Sequence, residues 1–248
     1  MLMEIKITRR AVKFILFQRS QYLLWRRSSI IQRLARAMPK RLAFALEALA
    51  SNFNATVSLE ALFTRKQVEK LFSDEMTIEY EQMKPYLPEH AHTILDIGAG
   101  VGGIDVILGK HYTADRPMIY LLDKTEMPRK VYYGLTEKGC FYNSLELARE
   151  LLLKNGILSE QIFVQEATDD NRIISDAKFD LIVSLISWGF HYPIPTYLDQ
   201  VYDKLSNQGV LILDVRKHGN GIEQIQRKFR DTRIIFDAQK HVRMVAWK

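Results

Sequence analysis

The stretch Ile94-Leu-Asp-Ile-Gly-Ala-Gly-Val-Gly-Gly103 decides the fold. An apolar strand ends in Asp96, and the turn that follows opens a helix and carries three alternate glycines, Gly98, Gly100 and Gly102. Glycine suits such a turn because it tolerates positive φ and lets a ligand approach the backbone closely. The same letters contain the G-x-G-x-x-G pattern of dinucleotide-binding proteins. The stretch therefore predicts a ligand at the carboxyl end of a buried strand.

Around this turn, short apolar runs alternate with helical patterns. The predicted strands are 93–97, 118–122, 162–165, 180–185 and 209–214, and the predicted helices between them are 102–110, 143–155 and 194–205. Such alternation favours a parallel sheet with helices on both faces.

The end of the chain departs from that rhythm. A predicted helix at 221–229 is followed by two β-like runs, 232–236 and 241–247, with only Asp237-Ala-Gln-Lys240 between them. So short a link cannot hold a crossover helix, so the two strands should pair antiparallel. The fold class predicted is α/β: a doubly wound, mostly parallel, seven-stranded sheet with a C-terminal antiparallel hairpin.

The N-terminal part has a different texture. Helical spacing predicts a helix over 5–50, a polar cluster predicts a break over 51–65, and a second helix is predicted over about 66–84. We therefore divide the chain into a basic helical extension or cap (1–88) and a ligand-binding domain (89–248).

The positive charge belongs to that extension. The chain has a net charge of +6, but residues 1–50 carry +9 and the remainder −3. Three interpretations stay open: peripheral membrane contact through residues 5–45, RNA binding, or a cap with solvated arginines. No apolar run approaches the roughly 20 residues of a membrane span. With Cys140 as the single cysteine, the sequence predicts a cytoplasmic protein, with peripheral contact at the inner membrane face as an option.

Asp96 distinguishes between ligand classes. Its carboxylate suits a cationic amino-acid group and would repel a pyrophosphate. The D-x-G-x-G-x-G pattern of Asp96, Gly98, Gly100 and Gly102 resembles that of the class I S-adenosylmethionine (SAM)-dependent methyltransferases, and the resemblance covers about residues 90–248. More loosely, Ser187-Trp-Gly-Phe-His-Tyr-Pro193 looks like part of bacterial small-molecule or sugar O-methyltransferases.

The resemblance implies SAM as cofactor and a set of contacts to it. Asp123, followed by Lys124, falls where the family binds the ribose hydroxyls, and Ser184 begins the stretch that lines the methyl-transfer face. The implied cofactor-binding residues are Asp96, Gly98, Ala99, Gly100, Gly102, Asp123, Lys124, Ala167, Thr168, Asp169 and Ser184, of which Ala167 to Asp169 would lie beside adenine. Asp123 could instead be a helix cap or a solvent-facing turn residue, and Asp169 a solvated loop acid.

Acceptor chemistry would come from the strand ends beyond the cofactor. His191 suits a general base for an alcohol, or is a loop histidine that shapes the pocket. Trp188 and Tyr192 would wall the acceptor or belong to the core, and Arg216 would bind an anionic group or form a surface ion pair. No metal site is predicted. Residues 124–142 could fold over the site as a lid.

The function predicted from these residues is SAM-dependent O-methylation of a hydroxyl on a small molecule or saccharide. The stretch from Ser184 lacks the N/D-P-P-Y/F signature of amino-group methyltransferases that act on nucleic acids, which makes a nucleic-acid partner less expected. Two alternatives remain: an RNA methyltransferase, and a non-catalytic SAM-binding accessory protein tethered by the basic segment.

Overall fold

A computed structural model describes residues 3–24, 37, 39, 53–125 and 143–248. Its centre is a seven-stranded sheet in the order β3-β2-β1-β4-β6-β8-β7. An additional short strand, β5, follows β4 and lies outside that order. The strands are β1 Thr93–Ile97, β2 Met118–Asp123, β3 Ile162–Glu166, β4 Phe179–Ser184, β5 Ser187–Tyr192, β6 Leu205–Arg216, β7 Asp231–Asp237 and β8 His241–Trp247.

The strand pairing confirms the predicted fold class. Strands β3, β2, β1, β4 and β6 run parallel to their neighbours. Strand β8 is antiparallel to both β6 and β7, with Ile212 opposite Val245 in the first pair. The chain order reverses between β1 and β4, where an open parallel sheet leaves a crevice at its carboxyl edge.

Helices cover both faces of the sheet, and those after residue 92 lie close to their predicted positions. The exception is 194–205, where a 3-10 turn, Ile194–Thr196, comes first. Pro193 and Pro195 lack the amide hydrogens that a longer helix would need there. The helices are α1 Arg9–Gln18, α2 Phe53–Glu60, α3 Arg65–Met83, α4 Gly103–His111, α5 Leu145–Lys154, α6 Leu198–Lys204 and α7 Gly221–Lys228.

The prediction of one helix over 5–50 is wrong in its first part. Residues 3–8 are extended, and their amides bond to side chains of α3: Ile5 N–H to Ser73 Oγ (2.9 Å) and Ile7 N–H to Glu69 Oε2 (2.8 Å). Thr8 then caps α1 by accepting from the Ala11 amide at 3.1 Å. The prediction for 25–50 falls outside the described residues, apart from positions 37 and 39.

The predicted break over 51–65 is also wrong, because it contains α2. Of the polar residues that suggested a loop, Asn54 and Thr56 belong to α2, whose inner face is buried at Thr56, Val57 and Glu60, whereas residues 51 and 52 lie outside the described residues. The Glu60 carboxylate is satisfied there by the Leu24 amide at 2.6 Å. A buried acid with a backbone partner can hold a helix in place that its apolar content alone does not predict.

Two hydrophobic clusters cover the two faces of the sheet, as alternation along the strands requires. One contains Ile94 and Ile119 with buried residues of α1, α3, α4 and α5, and the other contains Leu95 and Leu122 with residues of α6 and α7. Helix α1 contributes Ala11, Val12, Ile15, Leu16 and Phe17 to the first cluster. The N-terminal segment therefore shares a core with the sheet, while the boundary at residue 88 stays a prediction.

Within the described ranges, the helices are all too short or too polar to cross a bilayer.

Candidate functional site

The glycine turn follows β1 at the carboxyl edge of the sheet. Gly98, Gly100 and Gly102 have φ values of +84°, +59° and +76°, a region that disfavours residues with a Cβ. Gly102 caps α4, whose first residue is Gly103. The turn thus takes the backbone path that the motif predicts, with Ala99 buried inside it.

Other elements pack tightly on this turn. A Cβ on Gly98 would lie 1.8 Å from Ser187 Oγ, and a Cβ on Gly103 would lie 2.4 Å from the Phe72 ring. The first contact brings the start of β5 against the first glycine of the motif. Ser187 is therefore a site residue that the sequence analysis did not single out.

Asp123 lies at the carboxyl end of β2, beside the turn. Its Oδ2 accepts from the Gly100 amide at 2.7 Å and its Oδ1 from the Lys124 amide at 2.6 Å. Burial raises the pKa of Asp123 to about 6, against the lowering effect of these two amides. Each oxygen keeps a second lone pair, so the carboxylate can accept further hydrogen bonds from a diol. The structure therefore joins Asp96, the glycines and Asp123 in one site.

A second buried acid accompanies Asp96. Burial raises the pKa of Asp96 well above its ordinary range, and the nearby carboxyl group of Asp105, in the first turn of α4, raises it further. Among the described residues, no donor from another residue reaches Asp96 Oδ1 or either oxygen of Asp105. The sequence offered one signal for Asp105: it is a lone acid in the otherwise apolar run Gly103-Ile-Asp-Val-Ile-Leu108.

The predicted adenine-side residues lie at the end of β3. The Ala167 amide donates to the Asp123 carbonyl at 2.8 Å, which extends the β2–β3 pairing into the site. Thr168 and Asp169 are exposed, and the Thr168 hydroxyl bonds to Asp170. Asn171 turns the chain with φ of +52°. These residues flank the site.

Ser184 and Trp188 have internal roles. The Ser184 hydroxyl donates to the Ile97 carbonyl at 2.7 Å and accepts from the Trp188 amide at 2.9 Å, and the side chain is fully buried. The Trp188 indole N–H donates to the Ile194 carbonyl at 2.9 Å, and its ring is also fully buried. Ser184 thus ties β4 to β1 and β5, and Trp188 is a core residue rather than an accessible wall for an acceptor.

The chain between β4 and β5 is held from β6. Ile186 has φ of +53°, an uncommon conformation for a β-branched residue, and its amide donates to Asp214 Oδ2 at 3.1 Å. Asp214 in turn accepts from Arg243 of β8 through Nε and Nη2 at 2.8 and 2.9 Å. Arg243 also forms an ion pair with Glu79 of α3. Asp214 and Arg243 are therefore structural residues that position this loop.

His191 lies farther along β5. It lies four positions after Ser187, and Gly189 between them has a φ of +89°, so this part of the strand is not continuously extended. Although His191 is exposed, partial desolvation of its imidazole lowers its pKa, and the Arg216 guanidinium lowers it further. That guanidinium stacks over the Phe190 ring (4.2 Å to the centroid), and its Nε bonds to the Phe190 carbonyl. Tyr192 is half-buried beside the second core cluster.

Over the described residues, no group of three or more metal-ligating side chains is assembled. Most of the predicted lid, residues 126–142, lies outside the described part of the chain.

The architecture is similar to that of solved methyltransferase structures. A precorrin-6y methyltransferase from Geobacter metallireducens superposes with a TM-score of 0.50 at 15% identity, over 71% of this chain and 88% of that one. The chain has the class I methyltransferase fold.

Two other structures are similar at lower scores. A 16S rRNA methyltransferase of T. thermophilus, solved with AdoMet and guanosine, has a TM-score of 0.48 at 14% identity, over 71% of this chain and 43% of that one. An O-methyltransferase described from Nostoc punctiforme has a TM-score of 0.49 at 13% identity, over 71% and 56%. The chain thus spans about half of these two proteins. Neither a family model nor a curated protein sequence matches it.

Proposed function

We propose that the protein is a SAM-dependent methyltransferase that acts on a hydroxyl group of a small molecule or saccharide. One observation carries the proposal: a positive-φ glycine turn is flanked by Asp96, with a buried oxygen that lacks a donor, and by Asp123, fixed on the Gly100 amide. The class I methyltransferase fold supplies the setting for that turn, at the crevice between β1 and β4.

The residues at the turn fit this cofactor by charge. SAM carries a sulfonium and an ammonium group, and Asp96, whose Oδ1 accepts no hydrogen bond from the described residues, would balance the ammonium. Asp123 would accept from the two ribose hydroxyls through its remaining lone pairs. A dinucleotide would bring a pyrophosphate to the same acids, which would repel it.

The acceptor would bind beyond the turn, along β5. The bound cofactor would supply an electrophilic methyl group for in-line displacement. His191, whose pKa is lowered by partial desolvation and by Arg216, is neutral near pH 7 and can accept the hydroxyl proton. Arg216, braced on Phe190, would hold an anionic group of the acceptor.

The position of His191 on β5 constrains the acceptor. Because His191 lies four positions after Ser187 on β5, the histidine would serve as base for a substrate hydroxyl that lies between them or whose proton passes through a bridging water. A saccharide with several hydroxyls suits that arrangement. A phenolic acceptor, which ionises more readily, would not need His191.

Titration calorimetry with SAM, S-adenosylhomocysteine and NAD tests the cofactor. We expect the first two to bind and NAD not to bind. Labelled SAM should then transfer its methyl group to one of three acceptor pools: sugars and sugar nucleotides, small phenols, or RNA. Transfer to the sugar or phenol pool supports the proposal, and transfer to RNA alone would replace the acceptor. Absence of SAM binding would refute the function.

A further inference from the structure

The N-terminal helix reaches the glycine turn. Gln18, the last residue of α1, places its side-chain amide nitrogen and oxygen each 3.5 Å from where a Cβ would stand on Gly100. Helix α1 is anchored for this by buried apolar residues that belong to the same core as β1. A residue far away in sequence thus covers the middle glycine of the motif.

The Gln18 side chain is oriented by a chain of contacts. Arg19 donates from Nη1 to Gln18 Oε1 at 3.2 Å and from Nε to Glu75 Oε1 of α3 at 2.8 Å. The Arg19 guanidinium lies 5.0 Å from the centroid of the Phe72 ring, which itself packs on Gly103. Arg19 binds the amide oxygen, and the amide nitrogen is the donor group that the Gln18 side chain brings to the turn.

The charges around the turn leave one part of SAM without a partner. The side chains Asp96, Asp105 and Asp123 suit its ammonium and ribose groups, but each would repel its carboxylate. A carboxylate binds through N–H donors, and Gln18 brings a neutral amide to this place. The positive charge of Arg19 is balanced by Glu75 close by.

We propose that Gln18 is a cofactor-binding residue whose amide nitrogen donates to the methionine carboxylate of SAM. The inference rests on the proposed function and deepens it. It makes α1 one wall of the cofactor site. The basic N-terminal segment would then contribute to cofactor binding through an uncharged side chain, Gln18, at the end of α1.

Decarboxylated SAM is the ligand that isolates this contact, since it keeps the sulfonium, ammonium and ribose but lacks the carboxylate. Calorimetry would compare both ligands on the full chain and on Gln18→Ala, Gln18→Glu and the control Gln21→Ala, an exposed glutamine in the next turn. Thermal melts of each variant would show that the fold is retained.

Loss of a hydrogen bond to a charged group should weaken SAM binding by about 10-fold to 100-fold in Gln18→Ala. Binding of decarboxylated SAM should change less than about twofold, since that ligand has no group for the amide to bind. Gln18→Glu should weaken SAM binding further, because it sets two carboxylates against each other, and Gln21→Ala should leave both ligands unaffected.

Two results would overturn the inference, and they are distinguishable. If the parent protein binds SAM but Gln18→Ala weakens both ligands equally or neither, Gln18 has no contact with the carboxylate, and the proposed function stands. If the parent protein binds neither ligand, the proposed function fails and takes this inference with it.

Discussion

The carboxyl groups of Asp96 and Asp105 lie close together, one before and one after the glycine turn, and both are buried. Two carboxylates so placed cannot both ionise without strong repulsion, so the pair holds a proton near neutral pH. Burial raises the pKa of Asp105 to about 7, against the lowering effect of its hydrogen bonds. The Asp96–Asp105 pair therefore holds a proton at the place where we propose that the ammonium group of SAM binds.

This shared proton should make the free energy of unfolding depend on pH. A carboxyl pKa raised in the folded state means that the folded protein binds more protons than the unfolded one, so the free energy of unfolding falls as pH rises from about 4 to about 7. Asp105→Asn stays neutral, so it should unfold with a shallower pH dependence and be more stable than the parent at pH 8. Urea unfolding between pH 5 and 8 measures this. Asp231→Asn, an exposed acid on β7, is the control, and equal slopes for parent and Asp105→Asn would contradict the prediction.

Cofactor binding should release protons from the same pair. An ammonium group beside Asp96 favours its ionised form, so SAM affinity should increase as pH rises through about 7. Calorimetry at pH 6.5 in buffers of different ionisation enthalpy counts the protons released. Methylthioadenosine, which lacks the ammonium, should release none, and identical proton counts for the two ligands would exclude a role for the pair.

Asp123 should control affinity through the ribose. Asp123→Ala removes two acceptors for ligand hydroxyls and also leaves the Gly100 and Lys124 amides without their partner. Hydrogen bonds to charged groups contribute about 1.5–3 kcal/mol each, so S-adenosylhomocysteine binding should weaken at least tenfold. Asp231→Ala on β7 offers a matched comparison, since Asp231 is exposed, lies outside the predicted site and should affect binding much less. Unchanged affinity in Asp123→Ala would remove the ribose assignment.

The contact between Gly98 and Ser187 can be tested by paired substitutions. Gly98→Ala should abolish cofactor binding and destabilise the protein, because the new Cβ would meet Ser187 Oγ at 1.8 Å and Cβ at 2.3 Å. Ser187→Gly in the same chain removes that clash but leaves the cost of a positive φ, about 1 kcal/mol or more. Partial recovery of the melting temperature in the double variant is expected. No recovery would mean that backbone strain alone accounts for the loss.

His191 should titrate under the influence of Arg216. Arg216→Gln removes the neighbouring positive charge, so the pKa of His191 should rise toward its ordinary value of about 6.5. NMR titration, with His191→Ala to assign the resonance, measures this without any substrate. Arg233→Gln, an exposed arginine on β7, is the control. A His191 pKa that is equal in the parent and in Arg216→Gln would show that desolvation alone sets it.

Much of the fold is predictable because buried parallel strands carry continuous apolar runs, and β1 and β4 have them. The hairpin follows from the short link before β8. The N-terminal elements are harder, because residues 3–8 take their hydrogen bonds from side chains of α3 and α2 is held by the buried Glu60. Such partners depend on tertiary packing and leave no periodicity in the sequence.

The residues of the candidate site likewise differ in how far the sequence predicts them. The glycines and the acids Asp96 and Asp123 follow from a local motif and from strand ends, whereas Asp105 resembles an ordinary helix-start acid in sequence. Ser184 and Trp188 have residue types that suit a pocket. The short turn between β4 and β5, however, directs their polar atoms to backbone partners. Gln18 could not be found at all, because its contact with Gly100 requires α1 to be docked on the core.

The ion pair between Glu79 and Arg243 also bears on how the chain reaches its native state. The two residues are 164 positions apart, and Arg243 is almost fully buried against Asp214. Until β8 has formed, Asp214 has no ion pair with Arg243. The Asp214 carboxylate that accepts from the Ile186 amide is then not charge-balanced. Contacts of such long separation form slowly, so we expect the acceptor side of the crevice to mature last during folding, after the glycine turn has already closed.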